Sequence, residues 1–122
     1  MTIDKIKRSD VIKIMNWCKR NVGVNWRRHY FPDLEWHTDR DVNWDCGDYD
    51  FEDNLITLYK GSHRSVIELI STIIHEWQHY LQSSKKYYEY ADQYTYDKNP
   101  FEKQANYIAD KYKYQCKKDL FR

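Results

Sequence analysis

Little in this chain of 122 residues is made for turns or cross-links: it holds three glycines, two prolines and three cysteines. With so few breakers the chain shows no internal repeat, no low-complexity tract and no linker. Cys18, Cys46 and Cys116 are odd in number, far apart and without a Cys-x-x-Cys pair. They predict free, mostly buried thiols, with neither a disulfide framework nor a thiolate metal site. The chain also lacks a run of purely apolar residues long enough to span a bilayer, because its most apolar stretch, Val66 to Leu81, is interrupted by serine, threonine, histidine and glutamate. Met1 to Asp10 is charged and has no apolar centre of the secretory kind, which predicts a cytoplasmic protein. Net charge is nearly absent: 20 basic and 19 acidic residues leave +1. That balance argues against a protein that coats nucleic acid or associates with an anionic membrane.

Aromatics are what the chain has in excess, with 12 tyrosines and 5 tryptophans. Each buries a large area, so a short chain can still assemble one modest core, and a single domain over residues 1–122 is expected. A mean hydropathy of −1.01 leans toward disorder by itself, but 17% aromatic content and several periodic segments predict folding.

Ser9 to Arg20 reads as a first helix, with Ser9 as cap, apolar residues Val11, Ile12, Ile14, Met15 and Cys18 at helical spacing, and Gly23 as its end. From Val24 to Tyr49 the periodicity is poor, and short strands are expected near Arg28 to Phe31, Leu34 to Thr38 and Val42 to Asp45. Asn54 to Lys60 is a clearer strand, bounded by the acidic cluster Asp48 to Asp53 and by Gly61. At a sheet edge it could accept an extended peptide; as an internal strand it would have no ligand role, and the residues favour neither.

The chemistry concentrates at His75-Glu76-Trp77-Gln78-His79. Histidines four apart lie one turn from each other on a helix, so both imidazoles can reach one ion, and the glutamate between them can meet a water there. Val66, Leu69, Ile70, Ile73, Ile74 and Trp77 supply the helical period that the pattern needs, and Ser65 with Glu68 reads as its capping box. Ser83 to Asp97, polar and rich in tyrosine, is expected to be a loop or broken helix crossing the site. Asn99-Pro100 then opens a second long helix, with Ala105, Ile108, Ala109, Tyr112 and Cys116 as its apolar stripe.

Two histidines do not complete a catalytic zinc site, which usually takes three protein ligands and leaves one position to water. No histidine follows His79, and Gln82 and Lys85 stand where the extended metzincin signature needs glycine and histidine. A later carboxylate is therefore expected from among Glu89, Asp92, Asp97, Glu102, Asp110 and Asp119. Glu102 is preferred: Ala105 and Ala109 would let its helix approach another closely, and Asn106, one turn on, could accept the second N–H of His75. Glu102 also has capping-box spacing from Asn99, a purely structural role.

The two motifs, His75-Glu76-x-x-His79 and Glu102-x-x-Ala105-Asn106, resemble the gluzincin class of zinc metallopeptidases, and the compact size resembles minimal gluzincins and ImmA/IrrE-type metallopeptidase domains. The likeness covers about the carboxy-terminal half of the chain. It implies an α+β, zincin-like domain: an N-terminal helix, a small twisted sheet, the His-Glu-x-x-His helix and a C-terminal glutamate helix. It further implies zinc held by His75, His79 and Glu102, a peptide-binding edge strand, and peptide hydrolysis with Glu76 as general base. Tyr90 is the expected oxyanion donor, followed by Tyr94 and His63. A peptide or protein substrate is the expected partner, with no nucleic acid, no membrane and a monomeric state. Met1 to Asp10 could fold across the cleft, as in self-inhibited relatives of that class. The competing reading is a catalytically silent module that keeps this fold to bind a protein partner.

Overall fold

A computed structural model describes residues 1–121 as four α-helices and one small mixed sheet. The order is α1 (Arg8–Asn21), β1 (Asp33–His37), β2 (Gly47–Asp50), β3 (Leu55–Tyr59), α2 (Val66–Leu81), α3 (Ser84–Gln93) and α4 (Pro100–Leu120), with single 3-10 turns at Ile3–Lys5, Lys60–Ser62 and Tyr96–Lys98. The architecture is α+β, as the sequence predicts.

α2 is the axis of the fold and packs against α1, α4, β2 and β3. It forms because Ser65 accepts the amide of Glu68 at 3.2 Å at its start and because Leu69, Ile70, Ile73, Ile74 and Trp77 are each 0% exposed. Burial of this kind stabilises by about 1.5–3 kcal/mol per large apolar side chain. α4 starts as expected, with Pro100 in the first turn and Asn99 Oδ1 accepting the amide of Phe101 at 2.9 Å. Its buried stripe includes Ala105 and Ala109, small enough to bring its backbone close to α2. Trp17 of α1 closes the other side by donating from Nε1 to Asp119 Oδ2 at 2.8 Å. α1 itself starts one residue before the expected cap: the Asp10 carboxylate accepts the Lys7 amide at 2.9 Å, and Ser9 lies within the helix. Gly23 ends it, with φ of +138° and its amide returned to the Cys18 carbonyl.

The sheet has the order β1-β3-β2, with β1 parallel and β2 antiparallel to β3. β3 is therefore internal, and the outer strand on the α2 side of the site is β2, a segment expected only as an acidic boundary. Gly-Asp-Tyr-Asp does alternate, but Tyr49 is its one apolar inward residue, so the ladder to β3 makes it a strand more than its composition does. Arg28 to Phe31 and Val42 to Asp45 are not strands. In the first, side chains anchor singly: Arg28 donates to the Phe51 carbonyl at 2.6 Å and Phe31 stacks on Trp77. In the second, the Asp41 carboxylate gathers the amides of Asn43 and Asp45 into a turn. Of the two readings of the segment after α2, the broken helix holds and the loop does not: α3 is capped by Ser83, whose hydroxyl accepts the Lys86 amide at 3.3 Å, and is followed by the turn Tyr96–Lys98.

Met1 to Asp10 does not cross the cleft. Ile6 is buried in the core and Lys60 Nζ donates to the Asp4 carbonyl at 2.6 Å, which ties the segment to the end of β3. Cys18 and Cys116 are buried, Cys46 is exposed, and all three are free thiols. Among the described residues, no helix is long and apolar enough to cross a membrane.

Candidate metal centre

His75 and His79 project from one face of α2 toward the first turn of α4, where Glu102 is 2% exposed. Glu102 Oε1 lies 3.0 Å from His75 Nε2 and 2.9 Å from His79 Nε2, and the two imidazole nitrogens are 3.1 Å apart. The glutamate does not close its own helix, because its carboxylate turns to the histidines while Asn99 caps alone.

Three donor atoms in so small a triangle fit one cation. Ligands held at about 2.0–2.1 Å in a tetrahedron stand about 3.3–3.4 Å apart, close to these separations. His75, Glu76 and His79 also offer ligand atoms within 4.8 Å of one another and could hold a metal ion. Of the two sets, the one containing Glu102 is the tighter and fits the edges of a single coordination shell better.

Hydrogen bonding around the triangle supports the same conclusion. Gln82 Nε2 donates to the Phe101 carbonyl at 3.0 Å and to Gln104 Oε1 at 2.9 Å, which fixes the amide so that Oε1 faces His79 Nδ1 at 2.6 Å. His79 therefore carries its proton on Nδ1, and Nε2 points its lone pair at the Glu102 carboxylate. Two acceptors 2.9 Å apart need a cation between them, whether a proton or a metal ion. Tyr87 donates its hydroxyl to Glu102 Oε2 and so orients the carboxylate from the α3 side. Burial pushes the Glu102 carboxyl up, but a proton held between it and His75 or His79, together with the Tyr87 hydroxyl, outweighs this and holds the group well below the usual carboxylate range.

Glu76 faces the same cleft from α2, is 7% exposed, and makes no hydrogen bond among the described residues. Burial raises its pKa to about 8, with His75 opposing and Asp48 and Glu102 adding to the rise. A carboxyl poised near neutrality beside a cation site is suited to accept and return a proton.

The cleft of about 710 Å³ runs between β2, α2, α3 and the turn before α4. Cys46, Asp48 and Asp50 spend their main-chain groups on β3, as the bond from the Tyr59 amide to the Cys46 carbonyl shows, and alternation turns those of Gly47 and Tyr49 to the open edge. Gly47 is required there: a Cβ would stand 2.9 Å from both the Thr57 carbonyl and the Thr72 methyl of α2. Phe51 and Tyr87 pack against the His79 ring at 6.2 and 5.3 Å and shield one side of it.

The structure does not bring Tyr90 to this cleft; its ring packs on Phe101 and Tyr94 at 5.2 and 6.0 Å. His63 is also elsewhere, held between the Tyr59 carbonyl and the Thr72 hydroxyl. The tyrosines that line the cleft are Tyr49, Tyr87, Tyr88 and Tyr96. Desolvation of the hydroxyl end and the nearby Glu102 push the Tyr96 group up although the residue is 64% exposed overall, and it remains a donor at neutral pH. Asn106 shares a pocket with His75 but no hydrogen bond joins them, and the acceptor that the sequence reading sought beside a histidine is Gln82, on the other one. Gln82 was findable, three residues after His79 and so on the same face; no local signal marks two tyrosines among twelve.

A scan against protein-family models matches nothing, and searches of curated proteins and of solved structures return no significant match. The functional reading therefore rests on the geometry.

Proposed function

We propose that the chain is a zinc-dependent metallopeptidase of the gluzincin kind, with His75, His79 and Glu102 as the zinc ligands and Glu76 as the general base. The observation that carries the reading is one cleft in which three converging donor atoms, a buried carboxyl without a hydrogen bond and an open strand edge lie together. Two imidazoles and a carboxylate are a ligand set that zinc uses, and a glutamate beside the first histidine is placed to act on a water there. Bound there, zinc would supply a Lewis acid that lowers the pKa of water toward about 7 and polarises a carbonyl.

The protein's own groups perform the remaining tasks. Gln82 holds His79 in the tautomer whose Nε2 is free, and Tyr87 holds Glu102. Glu76 takes a proton from the attacking water on its carboxylate and returns it to the departing amine nitrogen. The open groups of Gly47 and Tyr49 align an extended peptide as a further antiparallel strand. Tyr96, with its hydroxyl kept protonated and its side chain at the cleft, replaces Tyr90 as the donor for charge developing on the carbonyl oxygen.

Incubation of the zinc-loaded protein with an unfolded substrate such as reduced casein tests this. Wild type should cleave it, and Glu76→Gln should keep stoichiometric zinc while losing about 10²- to 10⁴-fold in turnover. Zinc binding without any wild-type cleavage would favour the silent, partner-binding module instead.

A further inference from the structure

Charge is distributed unevenly in this molecule. The chain as a whole carries +1, yet Asp45, Asp48, Asp50 and Glu52 line the cleft in addition to Glu76 and Glu102, and no lysine or arginine among the described residues does. Among the described residues, none of the four outer carboxylates takes part in an ion pair. Burial and the neighbouring Asp50 push the Asp48 carboxyl above its ordinary range, as expected where like charges crowd without a counter-ion. Glu76 is a second sign that something binds here, since it is more than nine-tenths buried, faces the cleft and has no hydrogen-bond partner among the described residues.

The strand decides which parts of a ligand would meet these charges. Along β2, Tyr49 turns inward and is 6% exposed, while Asp48 and Asp50 take the opposite face. Asp50 is held in orientation because its Oδ1 accepts the amides of Glu52 and Asp53 at 2.9 and 3.1 Å. A peptide paired to the open edge has the same period of two, so every second side chain passes beside Asp48 and Asp50.

From this arrangement we infer that the cleft selects cationic peptides, with lysine or arginine at alternating positions set against Asp48 and Asp50. The inference rests on reading the cleft as a peptide site and adds the class of peptide. Opposite charges across a strand pair favour the pairing and like charges oppose it, so the same two aspartates turn acidic segments away.

Two fluorescent unfolded peptides, identical except for Lys or Gln at two positions two residues apart, provide the test. They are titrated by anisotropy into zinc-loaded Glu76→Gln protein, which binds without turnover. At low salt the lysine peptide should bind about tenfold tighter, and the advantage should fade as added salt shortens the screening length. The Asp48→Asn/Asp50→Asn double variant should bind both peptides alike, with the affinity for the glutamine peptide unchanged. Equal affinities at low salt, a salt-independent advantage, or a preference that survives in the folded double variant would overturn the inference. A lysine preference in protein whose wild-type form cleaves neither peptide would leave the inference standing and remove the hydrolytic one.

Discussion

The seam between α2 and α4 and the open edge of β2 face each other across one cleft but are built in opposite ways. In the seam the ligand candidates are all paired: His75 and His79 meet Glu102, Glu102 meets Tyr87, and His79 meets Gln82. At the edge, the outward main-chain groups of Gly47 and Tyr49 are left over, and the backbone ladder to β3, the buried Tyr49 ring and the close fit of Gly47 on α2 hold the strand. The contrast separates preorganisation from recognition. Donors for an ion must be rigid to within fractions of an ångström, whereas an edge that takes many peptides gains from unspent hydrogen-bonding capacity.

Perturbing the seam should have the larger effects. Glu102→Ala removes the donor shared by both imidazoles and should weaken zinc binding by roughly 1,000-fold or more, read by competition with a chelating dye. A loss below tenfold would mean that His75, Glu76 and His79 hold the ion without it.

Next is Glu76, whose raised pKa makes a signed prediction for the metal-free protein. The folded state holds this proton up to about pH 8, while the unfolded carboxyl releases it near 4.5. Between those values the native state binds more protons, so the stability associated with this group is present below the unfolded value and falls as pH rises through the window. Glu76→Gln removes that loss. The variant should match wild type near pH 4.5 and exceed it at pH 8.5 by on the order of 2–4 kcal/mol in urea unfolding. The same difference at both pH values would contradict it.

Gln82→Ala probes the support behind the seam and should cost about 10–100-fold in zinc affinity by the same dye competition, with the fold intact. The smallest effect belongs to the edge. Gly47→Ala places a Cβ against backbone and the Thr72 methyl, and should lower stability by about 1–2 kcal/mol in denaturant unfolding while leaving zinc affinity unchanged. A drop in affinity would show that the two regions are coupled rather than separate.

How well each part could be read in advance follows the same division. α2 and α4 were legible because the information is local: a cap, a period of 3.6, histidines one turn apart, proline at a helix start. Glu102 was reachable by elimination and by the small residues beside it. The residues of β2 read as a boundary because alternating aspartates mask the single inward Tyr49, and the expectation of Tyr90, then Tyr94 and His63, passes over Tyr87 and Tyr96 because tyrosines within one short segment differ only in where α3 and the turn after it aim them. β3 was found as a strand, but whether it was an edge or a centre could not be read from its own residues, since β1 and β2 flank it only after the chain has crossed over.

By itself the order of residues determined that two helices would form, that one would present a pair of imidazoles with a carboxyl between them, and that the other would start with a glutamate beside small side chains. Those outcomes depend on interactions within a few positions. The tertiary structure alone decided that Glu102 reaches both imidazoles, that Gln82 and Tyr87 hold the set in register, and that an acidic strand rather than the apolar one borders the cleft. Each of these brings together side chains far apart in the chain, so it depends on how α2, α3, α4 and the sheet pack rather than on any local pattern.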